Sequence, residues 1–573
     1  MLPVPDKERD ILAFANELIE QCRVSVGARS AYYRLMNAIA ETGRYDGTKS
    51  LINLLFRHLD RTASHLYSPV ELKFTMDFDR PYPKFVYDRA AEVGKVVTRQ
   101  WERSNTDTLF GRGVFESLKY GACIPKQWAE LDHTERDGSE VFKYKAKLVM
   151  PWNFGVYRED ENDINEQEAL CETMTLTLPE VWRRIWRLPK AEKLLERIRS
   201  HARRGEAGSE PTSFFHQVLS TSQINTGVQG MTQPVPGGIV QLNNDPNYAI
   251  MGPVVAADVV QMHELWVKDE NDYTTIQIIE PDILIAPLMK RSNLLIKDSR
   301  LQPYRLIQPN EVTNWFWGRS ELVDMIEPQG LLSSWCDDFR RLVGIQIDKL
   351  IGFTGETGIT DELYAQFRLA GYANLGAGAD IKDITPKIPP ELLPAIKWLI
   401  ETVNQLGGFP NIMQGQGEQG VRAGVHASTL LKTASPTLRD RALLVERQCA
   451  VMADLTLQIR EAKDASHYWI KADQPIKDVE DTKFLLSELP DDWRITVDSH
   501  SSSPIFSDEN QQLVFGAHQR GVVDAEYVID NTNLPNKEVA KLRLREKEKK
   551  QAELLAAHPE LLHDIFKHKG GKK

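Results

Sequence analysis

An α+β chain is what this sequence predicts, on three observations. Apolar residues recur with helical period at the N-terminus and again between 320 and 463. Between these blocks, Val141–Val149 alternates apolar and polar residues as a half-buried strand does. Glycine- and proline-rich connections separate the blocks, so helices and strands are segregated rather than regularly alternating.

Taken in order, residues 6–67 read as helical: Ile11, Phe14, Ala15, Leu18 and Ile19 form one face, and Leu51, Leu54, Leu55 and Leu59 another. Residues 84–122 also read as helix. Strands are expected at Val141–Val149 and Glu168–Thr177, then a helix from Leu178 to about Arg203 whose start Pro179 marks. Residues 205–253, rich in Gly, Ser, Gln, Asn and Pro, read as a long loop. Strands resume at Val259–Trp266 and Thr274–Ile279 and continue to about Ile307.

A helix over 320–351 carries Leu322, Ile326, Leu331, Trp335, Phe339, Leu342 and Ile345 along one stripe, with an early kink expected at Pro328. A compact glycine-containing unit, 352–390, comes next. The helix after it, Glu391–Leu406, spaces Leu392, Ile396, Leu399, Val403 and Leu406 by alternate steps of four and three, the pattern of a helix packed lengthwise on another. A Gly/Gln-rich loop, 407–425, leads to a third helix over His426–Lys463. After a strand at Trp493–Val497 the chain is expected to be mostly helical and to end in a basic tail.

Composition narrows the function. The chain has 573 residues, of which 42% are hydrophobic and 26% charged, so several folding units can each bury a core. The net charge of −11 disfavours a tight, sequence-independent grip on DNA, which needs Lys and Arg to neutralise phosphates. The charge is uneven: Lys537–Lys573 runs the other way, with 11 Lys and Arg against 6 Asp and Glu. Cys22, Cys123, Cys171, Cys336 and Cys449 are far apart with no CxxC pair, which predicts free thiols, no zinc site and a reducing compartment. No signal peptide or membrane span is expected, which points to synthesis and assembly in the cytosol.

The motifs that could carry catalysis are weak. Gly415-Gln416-Gly417-Glu418-Gln419-Gly420 matches GxGxxG, but a dinucleotide site needs a strand before it, and here a helix precedes. Gly43–Ser50 brushes against a phosphate loop, but Thr48 breaks its GK[ST], so a turn that starts a helix is the better reading. His263-Glu264-Leu265 lacks the second His of a zinc-protease helix. Asp498-Ser499-His500-Ser501 holds the residue types of a hydrolase triad, but sequence neighbours cannot converge as a triad does. Asp337-Asp338 and Asp491-Asp492 read as solvated surface. No catalytic residue, metal site or cofactor is expected.

The order helix, small unit, helix, Gly/Gln loop, helix describes a shape. Trp315-Phe316-Trp317-Gly318-Arg319-Ser320 with Met325–Gln329 resembles the segment that opens the stem helix of tailed-bacteriophage portal proteins. Val421–Ser428, leading to a charged helix around Asp440-Arg441, resembles the stretch after their tunnel loop, and Pro151–Tyr157 resembles a strand of their wing. The resemblance covers about 140–465. It implies a mixed α/β wing, a two-helix stem, a small α/β clip and a helical crown. The N-terminal helices and wing would span 1–318, the descending stem helix 319–351, the clip 352–390 and the ascending stem helix 391–406. The tunnel loop would be 407–425, the return to the wing 426–504, and the crown with its basic tail 505–573.

The family also implies function: a ring, usually of twelve subunits, at one capsid vertex, through which double-stranded DNA enters and leaves without sequence-specific contact. Gln414, Gln416, Glu418, Gln419 and Arg422 would face that DNA. Asp361, Glu362, Tyr364, Gln366 and Arg368 would lie on the clip, which meets the terminase motor and later head-completion, adaptor or tail proteins. Leu392, Ile396, Leu399, Val403 and Leu406 would pack the stem. Major capsid and scaffolding proteins would surround the ring, which belongs in the virion after assembly in the host cytoplasm. The 205–253 segment matches no family element. The alternatives are another virion head–tail adaptor or assembly protein, for which 573 residues is long, and a nucleotide-binding enzyme using the Gly-rich loop.

Overall fold

A computed structural model describes residues 4–44, 49–69, 72–134, 140–204, 258–269, 272–279, 282–290, 302–347, 351–354, 380–383, 385–407, 436–463, 468–470, 482–490, 492–497, 513–530, 540, 543–547 and 549–550. The first half of these contains α1 (Glu8–Thr42), α2 (Leu54–Leu66), β1 (Phe74–Phe78), α3 (Lys84–Arg103), α4 (Thr106–Tyr120), β2 (Ile124–Thr134), β3 (Glu140–Val149), β4 (Phe154–Val156), β5 (Ala169–Thr177), α5 (Leu178–Ile185), α6 (Ala191–His201) and β6 (Arg203–Arg204). Then come β7 (Asp258–Asp269), β8 (Asp272–Ile279), β9 (Ile283–Lys290), α7 (Ile326–Ile347), β10 (Ile351–Thr354), β11 (Asp380–Asp383), α8 (Leu392–Leu406), α9 (Pro436–Lys463), β12 (Tyr468–Ile470), β13 (Thr482–Phe484), β14 (Trp493–Val497) and α10 (Ala525–Asp530). Helix and sheet are thus mixed and segregated as expected.

Two units divide the chain. One comprises residues 1–64, 104–441 and 455–465, the other 65–103, 442–454 and 466–573. The first unit is built on an antiparallel sheet of order β4-β5-β7-β8-β9, with β6 added beside β7. Alternation gives the sheet two buried faces. On one, Cys171, Leu265, Val267, Ile276 and Ile278 meet Ile11, Ala15, Leu18 and Cys22 of α1. On the other, Leu170, Trp266 and Tyr273 pack with Tyr304, Phe316 and Trp317 at one end, while Met174, Leu176, Val260, Met262 and Ile279 pack with α5 and α6 at the other. The Arg29 guanidinium lies 3.9 Å from the Trp317 ring centroid and ties α1 to the Trp315–Trp317 segment.

Local chemistry explains the ends. A capping box starts α5: the Glu180 carboxylate accepts the Thr177 backbone N–H at 2.8 Å, with Pro179 in the first turn. Gly43, at φ 77°, closes α1 as a left-handed cap whose N–H reaches Ile39 O at 2.8 Å. Gly43, the first residue of the phosphate-loop-like stretch, thus ends α1, and α2 begins at Leu54, shortly after the stretch closes.

Several boundaries differ from expectation. The helix expected over 84–122 is two, broken where Asn105 takes φ 53°. The helix expected over Leu178–Arg203 breaks after Ile185 and resumes at Ala191, with Pro189 between and Lys190 at φ 61°. Pro328 causes no kink inside a longer helix. The chain enters through a 3-10 turn, Val323–Met325, so Pro328 sits in the first turn of α7, where its missing N–H is not needed. Leu331, expected on the stem stripe, is exposed, and Leu332 and Cys336 take the buried places. β2 was not anticipated at all. It pairs with β3 as a long antiparallel hairpin, Ile124 opposite Val149 and Lys126 opposite Lys147. The loop 205–253, the interior of the clip segment, and residues 426–435 of the expected third helix lie outside the described residues.

The second unit pairs β1 with β14 antiparallel, Phe74 opposite Val497 and Phe78 opposite Trp493. Trp101 of α3 stacks edge-on against Phe74, with centroids 5.1 Å apart. β12 and β13 form a second antiparallel pair. Tyr82 donates its hydroxyl to Asp492 at 2.9 Å, so Asp492 is part of a contact and not open surface.

Candidate functional site

The helix pair α7 and α8 is the part of the structure closest to the expected stem. β10 leaves the end of α7 and pairs antiparallel with β11, Ile351 opposite Asp383, and β11 leads back to α8. Gln346 near the end of α7 donates to Pro386 O at 3.0 Å, just ahead of α8. The other end of α8 returns to the start of α7, since Gly407 lies against His58 and His58 bonds Glu321. The two helices are therefore antiparallel, with the β10–β11 pair at one end.

Their shared core is Leu332 and Cys336 of α7 with Ile396 and Leu399 of α8, flanked by Trp335, Phe339 and Leu392. Of the five residues expected to pack the stem, Ile396, Leu399 and Val403 are buried and Leu392 is partly buried. Leu406 is 51% exposed and does not join that core. Large apolar side chains remain uncovered on the outside: Leu331 on α7, and Leu393 (49%) and Trp398 (59%) on α8. At about 100° per residue, Leu393 and Trp398 fall on opposite flanks of the buried stripe.

At the base of the pair sits a junction centred on Glu321. Arg441, near the start of α9, donates from Nη1 to both carboxylate oxygens at 2.9 Å. Asn310 donates to Oε2 at 2.8 Å, and His58 Nε2 lies 3.4 Å from Oε1. Burial alone would raise this carboxyl. The His58 hydrogen bond, the Arg441 charge and hydrogen bond, and the Asn310 hydrogen bond reverse that and hold it at about 2. The ring of His58 fills the space beside Gly407: a Cβ there would stand 2.5 Å from Nδ1. Gly407 ends α8 against His58 and Arg441, near the start of α9, bonds Glu321, so both flanks of 408–435 meet the His58–Glu321 pair. Asp337 of α7 is held too, by Arg44.

The residues expected to face DNA, Gln414, Gln416, Glu418, Gln419 and Arg422, and those expected on the clip, Asp361, Glu362, Tyr364, Gln366 and Arg368, lie outside the described residues. So do the GxGxxG stretch and Asp498–Ser501.

The sequence reading missed a buried ionic row on the sheet. Glu172 of β5 stands directly opposite Glu264 of β7, and Glu264 opposite Gln277 of β8. Like charges in such positions repel. Lys126 of β2 resolves the conflict by reaching Glu172 Oε2 at 2.7 Å and Glu264 Oε1. Lys147 pairs with Glu172, Gln277 donates to Glu264 at 3.0 Å, and Trp266 Nε1 donates to it at 2.9 Å. Tyr304 bonds both carboxylates, at 2.9 and 3.1 Å. Burial would raise the Glu264 carboxyl, but Lys126 and Arg184 hold it far below the usual carboxylate range. Burial would lower Lys126, but the two glutamates hold it above its ordinary value. His263, next in sequence, faces the other way and bonds Thr173 Oγ1 at 3.0 Å.

All five cysteines are buried free thiols. Among the described residues no group of three or more His, Cys, Asp or Glu is placed to hold a metal, and no helix is long and apolar enough to cross a membrane. Neither a comparison with protein-family models nor a search of curated proteins returns a match.

Proposed function

We propose that this chain is a portal subunit: a non-catalytic member of a ring, of about twelve copies by resemblance to its family, that forms the channel for packaging and ejecting double-stranded DNA at one capsid vertex. The observation that carries this reading is the antiparallel pair α7 and α8, with Leu393 and Trp398 uncovered on opposite flanks of α8. A closed ring joins two different patches of each subunit, one to each neighbour. The stripe Ile396–Leu399–Val403 is already used within the subunit, so the flanks are what remains for neighbours. On this reading β10–β11 belongs to the clip that meets the terminase motor and then adaptor or tail proteins, and 408–435 includes the tunnel loop. Capsid and scaffolding proteins surround the ring, and the acidic chain lets DNA slide with little adhesion.

Negative-stain electron microscopy of the purified chain tests the reading. Rings with a central hole are expected. The variant L393S/W398S should keep its helical circular dichroism and lose the rings. A monodisperse monomer at assembly concentrations, or rings indifferent to both substitutions, would overturn it.

A further inference from the structure

A cavity of about 380 Å³ opens over the ionic row of the sheet. Its floor is the polar band Glu264–Gln277–Thr275, which separates the two apolar clusters on that face. Trp128, Leu176, Leu455 and Ile459 supply apolar wall. Three features of this cavity are unbalanced.

The first is charge. The wall carries Lys126, Lys145, Lys147, Arg183 and Arg184 against Glu130, Glu180 and Glu264, and Glu172 lies just behind. Five cations therefore face four carboxylates. The second is where the excess falls. Lys147 Nζ and Arg184 Nη2 approach the same Met174 sulfur, at 3.2 and 3.7 Å, so the two heads lie within about 7 Å of each other. Burial lowers the Lys147 ammonium despite Glu172 beside it, and the neighbouring Lys126 charge adds to that. The third is polar satisfaction. Gln127 and Thr275 are 5% and 3% exposed, yet among the described residues Gln127 Oε1 and Thr275 Oγ1 have no hydrogen-bond partner. Gln127 spends its amide nitrogen on Thr456 Oγ1 at 2.6 Å, which leaves its oxygen needing a donor.

We infer that this cavity binds a small monoanion with an apolar body, a carboxylate carried next to an amide, as in an N-acyl amino acid or the last residue of a peptide. The carboxylate sits between Lys147 and Arg184 and cancels the surplus charge. The amide N–H serves Gln127 Oε1 once that side chain turns its oxygen to the cavity it lines, and the apolar body lies against Trp128 and Leu455. A free acid and a chain terminus share this chemistry. The inference is independent of the portal reading.

Isothermal titration of the full chain with hippurate tests it, with neutral hippuramide as control. Hippurate should bind with one site per chain and at least about tenfold more tightly than hippuramide. K147M and R184M should each weaken hippurate about tenfold or more, while K147R keeps most of the affinity. Acetyl-Gly-Phe bound more tightly than hippurate assigns the site to chain termini; the reverse order assigns it to free acids. Absence of heat with both acids, equal binding of hippuramide, or affinity unchanged in K147M and R184M would overturn the inference. Hydrogen exchange of β5 and β7 in each variant separates a lost contact from a lost fold.

Discussion

Replacing Lys126 by Met, close in length and apolar, leaves Glu172 and Glu264 opposed across β5 and β7 with their shared counter-ion gone. Because both reach one ammonium, their nearer oxygens stand within about 5 Å of each other. At an effective dielectric of about 20 that repulsion is about 3 kcal/mol. Breaking a buried ion pair from one side costs about 3–5 kcal/mol in general. Amides of β5 and β7 should then exchange about two to four orders of magnitude faster, read by hydrogen exchange with mass spectrometry. The pH dependence has a definite sign. In the native protein the depressed Glu264 carboxyl contributes stability above its unfolded value, near 4.3, and loses it only at strongly acid pH. In K126M one of the two carboxyls is raised, so the folded variant takes up a proton and its penalty shrinks as pH falls from 7 towards 5. K126M/E264Q, which removes the opposed charge, should recover most of the protection. Unchanged exchange in K126M, or no recovery in the double variant, would refute the claim that Lys126 neutralises the pair.

The Glu321 junction gives two further expected outcomes. With Glu321 held at about 2, its contribution is present above an unfolded value near 4.3 and is lost as pH falls through about 2; the shift corresponds to about 3 kcal/mol. E321Q should therefore lower the melting temperature at pH 7 and flatten its dependence between pH 4 and 2, by scanning calorimetry. G407A places a methyl 2.5 Å from His58 Nδ1, so the ring must move and the junction loosen, at about 1–3 kcal/mol in the same assay.

How much of this could be read from the sequence depends on how local each cause is. The α7–α8 pair was legible because Ile396, Leu399 and Val403 recur at helical spacing, and that periodicity survives in any context. The break at Asn105 was not, since a left-handed residue inside two abutting amphipathic helices leaves the apolar period intact. β2 was hidden by Pro125 and by Lys126 and Glu130, charged residues in a strand whose Lys126 reaches into a different sheet. The ionic row was illegible for a different reason. Glu172 and Glu264 are neighbours only through strand register, and nothing in either segment announces it. Strand alternation did carry a partial signal: Glu172 and Glu264 share a sheet face with Leu170 and Trp266, so their side was already marked as apolar.

The meeting of Gly407 and Arg441 at the His58–Glu321 pair bears on how residues 408–435 tolerate change. A segment whose two ends are fastened by the surrounding fold owes little of its closure to its own length. Doubling such a segment costs only about 0.6 kcal/mol in chain entropy. Insertions there should thus be nearly neutral for folding, which a melting-temperature comparison of lengthened variants checks.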